Sequence, residues 1–420
     1  MNNLRAEALR LFDVAIAAAD PALALRANLA QNPLPRPIKD GAYIIVSVGK
    51  AAIPMASEAL AHLGDAPVRA LVVTNYENAR DLPGAQVMAA GHPVPDENGR
   101  RAGEAVVDLL ASARQNDRVV ALISGGGSAL LPAPAPGLTL EDKATVNRLL
   151  LANGFGIAEI NLIRQQLSRL KGGGMLRLAA PAPVTGFILS DVIGDDLRVI
   201  ASGPTVAPIG TAADARKMLQ GRGLWAALPG AVRAHLERAE TECAALPQAD
   251  NHLIGSNKKS LQAIMSASKT EMTQIVSDRL EGDVADACNI ILAAIESAPK
   301  GQPACLIFGG ETTVNLRGDG LGGRNQELAL RFALAAPSVI GDRAWVFLSG
   351  GTDGRDGPTD AAGGIVDAQT TKRIQTAGLD ARALLANNDS NRALAAAGDL
   401  VITGATGTNV ADVQILLLGA

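Results

Sequence analysis

The sequence predicts an α/β fold of two α/β/α domains, the first built on a doubly wound, mostly parallel sheet. Three observations carry that expectation. The chain has 420 residues, more than one hydrophobic core usually organises, so two domains of roughly 150 to 250 residues each are expected. Short β-branched runs alternate with Ala- and Leu-rich helical segments, the pattern of crossover units feeding a parallel sheet. Strand after strand also ends in a glycine-rich polar cluster, and the carboxyl ends of strands are where open parallel sheets bind ligands.

In chain order, Leu4, Leu9, Phe12, Ile16 and Leu23 recur near the helical period, and Pro21 opens a second helix. A Pro-rich connector follows at 32–38. Strands are expected at 43–48, 70–74, 119–123 and 185–189, and helices at 50–63, 97–113, 140–153 and 214–220. A second series of strands is expected at 251–254, 304–308, 345–348, 400–403 and 415–418. The polar stretch 237–250 marks the boundary, giving domains 1–245 and 246–420. No repeat at a solenoid period is present.

Composition narrows the function. Hydrophobic residues make up 48% but aromatic residues only 2%, so platforms for stacking bases are few. The net charge of −4 gives no bulk attraction to nucleic acid or anionic membrane. Any anionic ligand must therefore be held by local charge. Cys243, Cys288 and Cys305 are odd in number and lack a C-x-x-C pairing, which fits a reducing compartment and argues against structural zinc. There is no run of eighteen apolar residues, and Glu7, Asp13 and Asp20 interrupt the N-terminal apolar pattern. A cytoplasmic protein, monomeric or homodimeric, is expected.

The strand-end clusters point to the chemistry. Val48 leads to Gly49-Lys50, Ile123 to Ser124-Gly125-Gly126-Gly127-Ser128, and Leu189 to Ser190-Asp191. Phe308 leads to Gly309-Gly310-Glu311, Leu348 to Ser349-Gly350-Gly351-Thr352-Asp353, and 403–409 makes a sixth cluster. A glycine after a strand is individually a turn requirement; six clusters of one grammar exceed that. Ser124 to Ser128 suits an anion, because glycines let backbone N–H groups approach phosphate oxygens. The Walker pattern is absent, so this is not a P-loop.

Lys50 follows an apolar strand and precedes a helix, where the helix dipole disfavours a resident cation unless an anion joins it. Snorkelling to solvent is the ordinary alternative. Arg324 sits where a glycine-rich loop, Gly318 to Gly323, runs into an apolar helix, a place from which a guanidinium can neutralise a transferring phosphoryl group. Pairing with Glu327 is its plainer reading. Asp191, Asp195, Asp196, Glu311, Asp353, Asp356 and Asp360 supply more carboxylates than folding requires. Asp191, Asp195 and Asp353 are candidate Mg²⁺ ligands, and Asp191 is also a candidate acceptor for a substrate hydroxyl proton. Asp353-Gly354 and Asp356-Gly357 are equally ordinary turn pairs. His92 is read as a loop-ordering or substrate-contacting residue, and Asn257, Glu311, Thr408 and Asn409 join the Ser124–Ser128 loop as candidate phosphate or substrate contacts.

At these residues the sequence resembles the glycerate 2-kinases of the class containing the MOFRL domain, a family that has also carried the hydroxypyruvate reductase name. The resemblance rests on Val48-Gly49-Lys50-Ala51-Ala52, Gly91-His92-Pro93-Val94-Pro95-Asp96, Ser124 to Ser128, Leu189 to Asp195, Ala201-Ser202-Gly203-Pro204-Thr205, Gly309 to Val314, Gly322 to Glu327, Gly351 to Asp360, and Thr406 to Val410. These run from about residue 40 to the C-terminus. The resemblance implies ATP- and Mg²⁺-dependent phosphorylation of D-glycerate to 2-phosphoglycerate. It also implies a Rossmann-like first domain, a mixed-sheet second domain with the MOFRL region at about 302–415, and a cleft between them. The family's essential lysine and arginine fall on Lys50 and Arg324, one in each half of the chain. Asn391 stands where an aromatic is expected.

Two other readings compete. An NAD(P)H-dependent hydroxypyruvate reductase would need the dinucleotide fingerprint, but Gly125-x-Gly127 is followed by Leu130 in place of the third glycine. A non-catalytic sensor of phosphorylated metabolites would need the phosphate loops but not the carboxylates.

Overall fold

The β-branched runs fold as the strands they predict. In the computed structural model of the chain, which describes residues 2–238, 245–299 and 301–420, β1 is Tyr43–Val48, β2 Val68–Asn75, β3 Gln86–Ala90, β4 Arg118–Ile123, β5 Val184–Leu189 and β6 Asp250–Gly255. They form one sheet of order β3-β2-β1-β4-β5-β6, with parallel pairing at each junction from β3 to β5. Both faces are covered: the core gathers Ile44, Val46, Val48, Leu71, Val119 and Ile123 with Val106 and Leu110 of the helix Glu97–Ala111. Burial on both faces explains why β1 and β4 read as nearly continuous apolar runs, broken in β1 only by the buried Ser47. Successive connections step outward in opposite senses on the two sides of β1 and β4, which makes the carboxyl ends of these strands the topological switch point. A second small core, around Leu150, Ile163, Leu219 and Val232, unites the helices of 140–238.

The second sheet holds β7 (Met272–Asp283), β8 (Ala304–Thr313), β9 (Trp345–Gly351), β10 (Gly363–Asp367), β11 (Leu400–Val401) and β12 (Asp412–Leu418). Its order is β11-β10-β9-β12-β8-β7. β7 and β8 pair in parallel and the other junctions are antiparallel, so the sheet is mixed.

The compact units are 24–254 and 1–23 with 255–420, where the sequence suggested contiguous spans meeting at 245/246. Two local differences follow. The strand at 250–255 ends the first sheet instead of opening the second. The helix Asn2–Ala18 packs with the second unit: Ala8, Leu11, Phe12 and Ala15 share a core with Ile307, Val346, Leu348 and Val413, and Arg5 bridges Asp367 at 2.7 Å and Asp399 at 2.9 Å. Pairings across more than 360 residues leave no local trace in the sequence. Part of the expected boundary, 239–244 with Cys243, lies outside the described residues. Cys288 and Cys305 are buried free thiols, and burial pushes Cys305 up to about 12, so neither is a reactive thiolate. Among the described residues no helix is long and apolar enough to cross a membrane.

Candidate functional site

At the switch point the loops after β1 and β4 interlock. Gly49 adopts φ +124°, and a Cβ there would lie 2.1 Å from Ser124 Oγ. Only glycine fits both the conformation and the space. Lys50 N–H donates to the Gly125 carbonyl at 2.8 Å, while Ser124 Oγ accepts from Ala51 N–H at 3.1 Å and donates to the Val48 carbonyl at 3.2 Å. The hydroxyl of Ser124 is thus committed to joining the two loops. A ligand would meet the backbone N–H groups of the glycines, of which that of Gly126 already bonds Asp191.

Asp191, just past β5, packs against that loop: a Cβ on Gly125 would come within 2.4 Å of Asp191 Oδ2. Burial raises its carboxyl above the ordinary range, against the pull of its own backbone N–H, the Lys50 charge and the Gly126 N–H. His92 lies against Gly126, its ring about 3 Å from where a Cβ would be. Burial, then the Lys50 charge, lowers its pKa, so the imidazole is neutral near pH 7. Lys50 itself makes no ion pair among the described residues. So Lys50, the Ser124–Ser128 loop and Asp191, three strand-end groups, lie in one unit together with His92. Asp195 lies in the next turn, at φ 55° with its N–H on the Val192 carbonyl.

This region opens into a cavity of about 560 Å³ lined by His92, Gly126, Ser128 and Asp191. Its lining also holds Lys143, Arg148, Arg164 and Lys171, four cations that the strand-end reading passed over because they come from helices and a turn beyond the sheet. A signal existed at one of them: Lys171 precedes Gly172-Gly173-Gly174.

In the other unit Arg324 is the first residue of the helix Arg324–Ala335. Its guanidinium grips Asp412 bidentately, Nε to Oδ2 at 2.6 Å and an Nη to Oδ1 at 3.0 Å, and reaches Glu311 at 3.3 Å. Burial alone would lower its pKa, but the bonds and charges of Asp412, then Glu311, drive it far above its ordinary value. Asp412 is wholly buried and was not singled out from sequence; a carboxylate opening the apolar run Asp412-Val413-Gln414-Ile415 was the available signal. Glu311, the candidate phosphate or substrate contact, lies 3.3 Å from Arg324.

Asp356 accepts N–H bonds from Asn325 at 3.1 Å and Gln326 at 2.8 Å, so it caps the helix that carries Arg324. Asn391 donates to Gln326 Oε1 at 2.8 Å and so completes the same support with an amide where an aromatic was expected. Asp353 accepts from the Arg355 N–H at 3.0 Å in the turn after β9. Asn257 donates to the Val410 and Asp412 carbonyls, Thr408 donates to the Ala19 carbonyl, and Asn409 Oδ1 accepts from the Ala411 N–H. These three polar side chains hold the segment leading into β12.

Among the described residues no group of three or more His, Cys, Asp or Glu side chains could hold a metal. Asp191 and Asp195 belong to the unit of 24–254 and Asp353 to the other.

The chain matches two family models, a domain of unknown function (DUF4147) over residues 7–237 and the MOFRL family over 304–412. It is 39% identical to a D-glycerate 2-kinase of Thermotoga maritima, the alignment covering 99% of each chain. It is also 40% identical to a protein of Agrobacterium vitis that bears a provisional hydroxypyruvate reductase name, over 98% of this chain and 93% of that one. A crystal structure of a Thermotoga maritima glycerate kinase superposes with a TM-score of 0.91 at 38% identity, covering all of both chains. Sequence along its full length and fold in both units thus agree, and the chain belongs to the DUF4147- and MOFRL-containing glycerate 2-kinase family.

Proposed function

We propose that the protein transfers the γ-phosphoryl group of ATP to the 2-hydroxyl of D-glycerate. The observation that carries this reading is the switch point, where a glycine loop and a half-buried aspartate line one cavity, beside a lysine that makes no ion pair among the described residues and whose Cγ lies 3.5 Å from where a Cβ on Gly126 would be. Phosphoryl transfer asks a protein for positioning and charge stabilisation, which those groups supply. Glycine N–H groups and Lys50 bind anionic oxygens. Asp191, whose burial favours the protonated form more than in water, is the residue suited to accept the hydroxyl proton or to hold a metal.

Magnesium fits this donor set in the manner usual for it, with one carboxylate from the protein and the rest from phosphate oxygens and water. A protein cage is not needed. Asp191 would be the ligand in this unit, and the bound ion would neutralise charge on the phosphates. Arg324, oriented by Asp412 and Glu311, is assigned as the second catalytic cation.

Reduction of hydroxypyruvate is disfavoured by one further observation. Leu130, at the position of the third fingerprint glycine, fills the apolar core with a full side chain, so the close helix–strand packing that a glycine allows there is lacking. Purified protein should release ADP in the presence of ATP, Mg²⁺ and D-glycerate, and should leave NADH and NADPH unoxidised when given hydroxypyruvate. Coenzyme oxidation without glycerate-dependent ADP release would sink the kinase reading.

A further inference from the structure

Beside Arg148, which pairs with Glu141 at 2.8 Å, three further cations converge on the cavity by the glycine loop. Lys143 and Asn147 lie one helical turn apart on Leu140–Ala152, Arg164 on Ile157–Gln166, and Lys171 just before Gly174–Ala179. Lys171 is buried and donates to Ser128 through its carbonyl at 2.9 Å and its Oγ at 2.6 Å. Lys143 donates to the Pro132 carbonyl, and Arg164 grips Asn147 Oδ1 through Nε at 3.1 Å and an Nη. Every one of these acceptors is neutral. No carboxylate pairs with Lys143, Arg164 or Lys171 among the described residues.

Such a cluster is unfavourable for folding alone. Buried charges are ordinarily paired, and like charges brought together out of water repel. Burial, then Arg164, pulls Lys143 down to about 7, and burial, then Lys143 and Arg164, holds Lys171 well below the ordinary lysine range. An anion entering the cavity would relieve both effects.

We propose that the polyphosphate chain of the nucleotide binds in this cavity, against Lys143, Arg164 and Lys171. The nature of the anion rests on the kinase reading. Three converging cations exceed what a single carboxylate needs, which one bidentate guanidinium satisfies; they match a chain of phosphates. The volume, about 560 Å³, lies in the range of sites that enclose drug-sized ligands and leaves room for more than a three-carbon acid. Pro93, Val94, Pro95 and Leu140 add an apolar wall that suits a nucleoside in a protein poor in aromatic residues. Gly126 and Ser128 line the same cavity, so the glycine loop and the cations would serve one ligand. The Ser124–Ser128 loop is thereby assigned to the nucleotide in preference to the carboxylate of glycerate.

The test uses the full-length protein with Lys171→Met, Lys143→Met and Arg164→Gln. Inorganic tripolyphosphate is titrated by calorimetry, and steady-state kinetics are measured with ATP and D-glycerate. Each substitution should raise KM for ATP and weaken tripolyphosphate roughly 10- to 100-fold, the effect of losing one charged hydrogen bond, with KM for D-glycerate little changed. Lys171 also holds Ser128, so Arg164→Gln, whose half-buried guanidinium is bonded to Asn147, supplies the arm in which the fold is kept. Unchanged ATP KM and tripolyphosphate affinity in folded variants would overturn the assignment, as would a rise confined to KM for D-glycerate. If wild-type protein failed to phosphorylate glycerate yet bound tripolyphosphate through these residues, the kinase reading would fall and the site would stand.

Discussion

Replacing Lys50 with alanine should reduce turnover by about two to four orders of magnitude, as loss of a transition-state cation does, with almost no loss of stability. The second half of that expectation comes from the structure. Lys50 is half-buried and forms no ion pair among the described residues, so its removal strands no partner. The strand-end turn is instead held by its backbone, through the Lys50 N–H on the Gly125 carbonyl and the Asn78 amide on the Lys50 carbonyl at 3.0 Å, and alanine keeps both. Steady-state kinetics and urea unfolding of Lys50→Ala check the two halves separately. A near-normal rate would remove Lys50 from the mechanism.

Replacing Arg324 with alanine should lower turnover over a similar range, but here stability falls as well. Asp412 is completely buried beneath the guanidinium, and taking one partner from a buried pair typically costs about 3–5 kcal/mol. Arg324 is itself about one-third exposed, so water entering the vacated space, and protonation of Asp412, should hold the loss to the lower end of that range. Activity loss in the single variant is therefore ambiguous. The double variant Arg324→Ala, Asp412→Asn removes the stranded charge and should recover most of the stability while remaining inactive. Recovery of activity together with stability would reduce Arg324 to a structural residue.

What could be read from the sequence follows the physics of each element. β1 and β4 were legible because strands buried on both faces are nearly continuous apolar runs. β7 was not, because Met272–Asp283 is polar along much of its length, and β10 was not, because Gly363-Gly364 opens it. Gly309-Gly310 and Gly350-Gly351 were read as loops following strands, yet they lie inside β8 and β9. Glycine is required at Gly350 because a Cβ there would meet the Phe12 ring at 2.7 Å, a contact with a helix more than 330 residues away. The same limit governs the site. Lys50, the Ser124–Ser128 loop and Asp191 could be grouped because topology brings strand ends together. Asp412 and Lys171 could not, since their importance lies in partners that only the fold supplies.

Identification of the product formed from ATP, Mg²⁺ and D-glycerate by phosphorus NMR tests the proposed activity most directly. Formation of 2-phosphoglycerate by the wild-type protein, and its loss in Lys50→Ala, is the expected result. Formation of 3-phosphoglycerate, or no phosphorylated product from the folded wild-type protein, would contradict it.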